Sequence, residues 1–232
     1  MTADVVVVTQ CAPYATGRMA GVHGSREQAV SAFAEIAGTR GWSTERVENV
    51  ATVADDLLAC ARVLVLYTIG EVPWSPAQQA MILERLRAGE LAVVCVHSAT
   101  DANHTWDAYG GVVGGRFAGH PVSASLPLTV VQSDHPATSH FGGNWALHDE
   151  LYLFDDVRPD LEVLLRLEDA AVEELAPGTT RPAAGYPIAW CHTEGSGRVF
   201  YTALGHFPLA WEHPDYVQHI AGGFTWASSP TE

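Results

Sequence analysis

Basic residues are scarce in this chain: 12 stand against 27 acidic ones, a formal charge of -15 over 232 residues. That balance repels a phosphate backbone, so nucleic acid is excluded as a partner. Long apolar runs are missing as well; the longest are far too short to span a bilayer, and no membrane partner is expected. The opening MTADVVVVTQ has neither a basic stretch nor a small-residue cleavage site, and the expected location is cytoplasmic. Cysteine is sparse and scattered. Cys11, Cys60, Cys95 and Cys191 show no C-x-x-C spacing, which signals neither a zinc knuckle nor a disulfide framework and predicts four buried thiols. Charged residues make up only 17% against 47% hydrophobic ones, which suits one domain over residues 1–232 with a large core.

What is present begins with buried strands. Asp4 to Thr9 is a continuous valine run, Ser43 to Glu48 alternates, and Arg62 to Tyr67 and Leu91 to Val96 are again β-branched and apolar. Between them lie helical patterns: Ser25 to Ala37, with Ser25 and Gln28 spaced as a capping box, then Thr52 to Ala59, then a helix starting at Ser75-Pro76 and stopping at Gly89. Alternation of this kind predicts an α/β fold, a flavodoxin-like, mostly parallel sheet with helices on both faces. Past Ser98 the periodicity is less clean. Leu126 to Val131, Leu161 to Leu167, Ile188 to His192 and Val199 to Thr202 read as strands, Leu175 to Ala184 as a loop, and Pro214 to Trp226 as a final helix, with fraying expected from Ser228 on.

In such a sheet ligands gather beyond the carboxyl ends of the strands, which directs attention to the residues after each one. His97 follows Val93-Val94-Cys95-Val96 directly, and His206 ends Tyr201-Thr202-Ala203-Leu204-Gly205. An abrupt strand end is a way to raise a reactive group into a cleft; the competing use of each imidazole is to hydrogen-bond its own loop. Asp101 could orient an imidazole or cap a helix. Gly119-His120-Pro121, Asp134-His135-Pro136 and Asp149-Glu150 offer further imidazoles and carboxylates, and His23 lies in the loop after the first strand. Convergence of three or more such groups would suit a divalent metal (Zn, Mn or Fe), although no local signature such as H-E-x-x-H occurs. The rings of Trp106, Tyr109 and Trp211 could face a sugar or could pack in the core, and for Trp190 core is expected. The remaining histidines, at 104, 140, 148, 192, 213 and 219, are read as surface or satisfied groups.

Taken together, His97-Ser98-Ala99-Thr100-Asp101, Trp106 and Tyr109, Gly119-His120-Pro121, Asp134-His135-Pro136-Ala137, Asp149-Glu150-Leu151-Tyr152, Pro187-Ile188-Ala189-Trp190 and Gly197 to His206 resemble the ThuA-like (trehalose utilization) family over most of the chain. The resemblance implies the class I glutamine amidotransferase-like superfamily and a sugar-related role. Where an amidotransferase of that superfamily has its cysteine nucleophile this chain has His97, with His206 at the place of the base; Cys95 falls two residues too early, so a thiolate mechanism is disfavoured. The family's Gly-Gly-His-like stretch after the first strand is displaced here, with His23 as its counterpart, and His192 departs from the usual Trp-Cys-Arg-like pattern.

Two functions of different class are expected. The first is an enzyme, a hydrolase or lyase of a sugar-like or polyhydroxylated small molecule, with His97, His206 and Glu150 as acid/base groups, His23, Asp101, Trp106, Tyr109, His120 and Trp211 around the substrate, and His97, His120, Glu150 and His206 as metal donors. The second is a non-catalytic descendant that binds a small ligand or a partner; a metal-dependent enzyme on a natural-product intermediate is a third reading. Tryptophans expected at the surface make a homodimer the default assembly.

Overall fold

The computed structural model describes residues 2–21 and 23–229. In chain order its first half runs β1 (Val5–Val8), α1 (Arg26–Gly38), β2 (Thr44–Val47), α2 (Asp55–Cys60), β3 (Val63–Leu66), α3 (Pro76–Arg87) and β4 (Ala92–Val96). The second half runs α4 (Tyr109–Val113), β5 (Arg116–Gly119), β6 (Ser123–Val130), β7 (Trp145–Glu150), β8 (Leu153–Asp155), β9 (Glu162–Leu167), α5 (Asp169–Leu175), β10 (Tyr186–Glu194), β11 (Gly197–Thr202), α6 (Pro208–Glu212) and α7 (Pro214–Ala227).

Among the described residues one nine-stranded sheet has the order β2-β1-β3-β4-β11-β10-β9-β6-β7, while β5 and β8 pair separately. The strands from β2 to β11 are mutually parallel. Their order is the flavodoxin-like one, with β11 as the fifth strand. Each residue of β1, β3 and β4 is buried, which explains why these strands read as unbroken apolar runs rather than alternating ones. Burying each such valine or leucine contributes roughly 1.5–3 kcal/mol. From β11 onward the pairing is antiparallel, through β10, β9, β6 and β7, an extension the sequence pattern does not announce.

Helices cover both faces, and β11 shows how. Phe200 lies against α7, where a Cβ on Gly223 would come within 2.5 Å of its ring, so only glycine permits that approach. The next residue, Tyr201, points the other way and stacks on Trp190 at 4.2 Å between ring centroids. This period of two is what allows one strand to seal two cores.

Several local expectations are corrected. Ser25 precedes α1 but its side chain makes no cap; the capping box is at Ser75 and Gln78, where each side chain bonds the other's backbone N–H. Cys95 and Cys191 are buried, whereas Cys11 is half-buried and Cys60 exposed. Every tryptophan is buried or half-buried, so the surface tryptophans that suggested a homodimer are absent. Ser228 does not fray: its N–H continues the α7 pattern to Phe224 and its hydroxyl takes a bond from Arg40 at 2.9 Å. Residues 230–232, included in the expected fraying tail, lie outside the described residues. No described helix is long and apolar enough to cross a membrane.

Candidate active site

β4 ends at Val96, and His97 adopts a φ of 51° at the start of a tight 3-10 turn, His97–Asp101. A left-handed backbone at a residue with a Cβ costs on the order of 1–3 kcal/mol, and the surrounding packing must hold it there. Burial and two hydrogen bonds do so. The His97 ring is fully buried, its Nδ1–H donates to the Ala203 carbonyl at 2.6 Å, and its own carbonyl accepts the Tyr201 hydroxyl at 2.9 Å. Since a carbonyl only accepts, Nδ1 carries the proton and Nε2 is left with its lone pair.

His206 reaches that lone pair from the end of β11, with Nδ1 3.1 Å from His97 Nε2. The peptide before it is gripped from both sides. The Gly205 carbonyl accepts bonds from Ser25 Oγ at 2.8 Å, Tyr67 OH at 3.0 Å and Trp211 Nε1 at 3.0 Å. The Gly205 N–H donates to Asp149 Oδ2 at 2.7 Å, and the His206 N–H to Asp149 Oδ1 at 3.3 Å. Gly205 has a φ of 113°, and an added Cβ would lie 2.4 Å from the Tyr216 hydroxyl, so glycine is required at this turn. The hydroxyl missing from the α1 cap is thus employed here instead.

Glu150, at the end of β7, brings its Oε2 to 3.5 Å from His97 Nε2 and 3.4 Å from His206 Nδ1, and its Oε1 to 3.6 Å from His120 Nδ1. Tyr152 donates its hydroxyl to His97 Nε2 at 2.9 Å. The His23 ring stands edge-on to both other imidazoles, 4.8 Å from His97 and 5.1 Å from His206 between centroids. One ring nitrogen from each of His23, His97 and His206 can be chosen so that all three lie within 4.8 Å of one another. The cluster opens to solvent at His206 and His120, whose side chains are 28% and 48% exposed.

Burial dominates the electrostatics. It pushes His23 down to about 4, with His206, Arg26 and His120 adding to the effect. It pushes His97 well below the ordinary imidazole range, with His23 next in weight. His206 is lowered by its partial burial, against the pull of Glu150. Asp149, by contrast, is pushed up to about 7 by burial, while the amides of Gly205, Glu150 and His206 pull against that rise. His23, His97 and His206 are therefore biased toward the neutral form that bases or ligands need.

The structure brings together His97, His206, Glu150, His120 and His23, and sends the other expected residues elsewhere. Asp101 orients neither imidazole: it accepts the Tyr14 hydroxyl at 2.5 Å and pairs with His104 at 3.1 Å. Trp106 and Tyr109 are core, enclosed by Leu64, Leu66, Ile82 and Val93, and offer no face to a substrate. Trp211 is also buried and serves the site only by bonding Gly205. His120 stands beyond Glu150, so His23 replaces it in the compact set of possible metal donors. His135 sits apart, 3.7 Å from Cys191. Cys95 is fully enclosed, as its place within β4 leads one to expect, and burial drives its thiol far up, which disfavours a thiolate there. Asp149, one of the two carboxylates the sequence offers, binds backbone amides rather than an imidazole ring or a ligand, while Tyr152, Ser25 and Tyr67 are site residues that no sequence signal assigns. A hollow of about 400 Å³ lies elsewhere, but its Arg166 and Arg181 are already paired with Glu168 and Asp169.

An imidazole at the elbow after β4, paired with another after β11, can be compared with known proteins. A family model described as trehalose utilisation, ThuA, matches residues 14–227. The chain belongs to the ThuA family. Solved structures similar to this ThuA chain include a putative ThuA-like protein of Bacteroides uniformis ATCC 8492, with 16% identity, a TM-score of 0.74, and coverage of 96% of this chain and 90% of that one. Another is a putative ThuA-like protein of Parabacteroides merdae ATCC 43184, also at 16% identity and a TM-score of 0.74, covering 100% and 92%. A cytoplasmic protein of Salmonella typhimurium has 11% identity and a TM-score of 0.62, covering 97% and 98%. At these identities the likeness is one of fold. No curated protein sequence matches the chain.

Proposed function

We propose that this ThuA chain is an enzyme that moves a proton on a sugar-like or other polyhydroxylated small molecule, leading to elimination or hydrolysis, and that it is not a glutamine amidotransferase. The observation that carries the reading is the convergence of His97 Nε2, His206 Nδ1 and Glu150 Oε2 within 3.5 Å of one another, from strands remote in sequence. A relic that only binds would have each of these groups satisfied separately. Here one lone pair on His97 is approached by two donors and a carboxylate, an arrangement suited to proton exchange.

In this reading Glu150 accepts a proton from the carbon beside a carbonyl, as in an oxidised (keto) glycoside, and the proton passes back to the leaving oxygen through half-exposed His206. His97 fixes the geometry from below. The family description, trehalose utilisation, supports the sugar class. The absence of any thiol at the elbow argues against amide hydrolysis through a thioester.

The experiment is to follow trehalose and a keto glycoside by NMR in deuterated water with the purified protein. Deuterium uptake beside the carbonyl, or glycoside cleavage, is expected, and should fall by about 100-fold or more in His206→Gln and Glu150→Gln. Wild-type rates in both variants would overturn the residue roles, and inertness toward every sugar offered would overturn the substrate class.

A further inference from the structure

His97 Nε2 and His206 Nδ1 lie 3.1 Å apart, and a third imidazole, His23, stands edge-on to both rings. We propose that His23, His97 and His206 together hold one divalent transition-metal ion, with zinc as its representative, and that Glu150 faces the open side of that ion. The proposal shares its residues with the proposed proton transfer; an ion here would leave Glu150 as the proton-transfer group.

The geometry argues for this in three ways. First, the ring nitrogens lie within 4.8 Å of one another, and the 3.1 Å between His97 Nε2 and His206 Nδ1 is close to the edge of a tetrahedron with zinc–nitrogen bonds of about 2.0–2.1 Å. Secondly, His97 donates its other N–H to a backbone carbonyl, Ala203, which fixes its tautomer and aims its lone pair, the support that ligating imidazoles commonly receive. Thirdly, without an ion the single lone pair of His97 is contested by the Tyr152 hydroxyl at 2.9 Å and His206 Nδ1 at 3.1 Å; with one, His206 turns its own lone pair inward and the contest ends.

The donor set also defines the ion. Three imidazoles suit zinc, iron or cobalt far better than magnesium or calcium, which require oxygen ligands. The nearby carboxylate, 3.4–3.5 Å from two of the nitrogens, adds negative charge beside the ion and leaves its solvent side accessible past His206.

The test reads binding and needs no substrate. Chelator-treated protein is titrated with zinc alone, with cobalt alone as an absorbing probe, and with magnesium as a hard-ion control, and metal content is counted after gel filtration. One equivalent of zinc, a tetrahedral cobalt spectrum and no magnesium uptake are expected. His23→Gln and His206→Gln, each confirmed as folded by circular dichroism, should weaken zinc binding by about 100-fold or more. His104→Gln and Glu150→Gln should still load one equivalent. Failure of the wild type to take up stoichiometric zinc, or uptake unaltered in both folded histidine variants, overturns the site. Because Glu150→Gln removes turnover but keeps the ion, loss of the metal proposal and loss of the proton-transfer reading are told apart.

Discussion

Asp149 holds His206 by the backbone rather than by the ring: its Oδ2 accepts the N–H of Gly205, and its Oδ1 accepts those of His206 and Glu150. One buried carboxylate therefore fixes the main chain at both a strand end of the parallel half and its own neighbour on β7. Asp149→Asn presents an N–H₂ to at least one of these amides, leaving a buried donor unmet at a cost of about 1–3 kcal/mol. The expected outcome is a lower midpoint in chemical denaturation with turnover falling further than the loss of folded protein explains. Unchanged stability would remove the strut from this account.

Ser25 and Ser75 provide a contrast between two hydroxyls at helix starts. Ser75→Ala removes a true cap, and about 1 kcal/mol of stability should go with it while turnover per folded molecule stays as it was. Ser25→Ala removes bonds to the carbonyls of Gly205 and His206, so a comparable loss of stability should be accompanied by reduced turnover. Equal behaviour of the two variants in a parallel melt and rate assay would show that Ser25 has no link to the site.

Gly205→Ala combines a disfavoured φ with a clash against Tyr216. A loss on the order of 1–3 kcal/mol is expected from the backbone alone. Adding Tyr216→Phe removes the hydroxyl that crowds the new methyl and should recover part, but not all, of the midpoint. Full recovery in thermal unfolding would mean that φ carries no penalty here.

His219 supplies a pH prediction away from the site. It is fully buried, donates Nδ1–H to the Ala137 carbonyl at 2.8 Å, and is pushed down to about 3 by burial, with His140 and His135 adding to the fall. The unfolded chain takes up this proton near the ordinary value of about 6.5, the folded one only near 3. The contribution to stability is therefore complete above about 6.5 and is lost as pH falls toward 3, at up to about 1.4 kcal/mol per pH unit. His23 works in the same direction, so His219→Gln should reduce the acid-side slope by about one proton rather than abolish it. Urea denaturation of both proteins across that range reads the difference, and identical slopes would refute it.

The parallel half was legible because its strands are buried on both faces: β1, β3 and β4 carry no polar residue to confuse the reading. Their carboxyl ends then pointed to His97 and His206 without any local motif. The antiparallel extension was harder. β5 and β8 span four and three residues, too few for a period to emerge, and β7 breaks alternation at its end because Asp149 and Glu150 are both buried. Trp106 and Tyr109 show the other limit, since a ring in a loop reads the same whether it faces a ligand or Leu64 and Val93. Asp101 was misplaced because the 3-10 turn after His97 swings it toward Tyr14.

The position of β11, seated between β4 and β10, has an implication for how the protein comes into being. A chain emerging from its amino end carries β4 with an unsatisfied, wholly apolar flank until one of its last segments arrives to cover it. Until that moment the molecule has neither a functioning centre nor a protected border, and edge-to-edge association with other unfinished copies competes with completion. Shortened forms that stop before Gly197 should accordingly collect in the insoluble fraction, and fast synthesis at high temperature should penalise this protein more than one whose sheet is built in chain order.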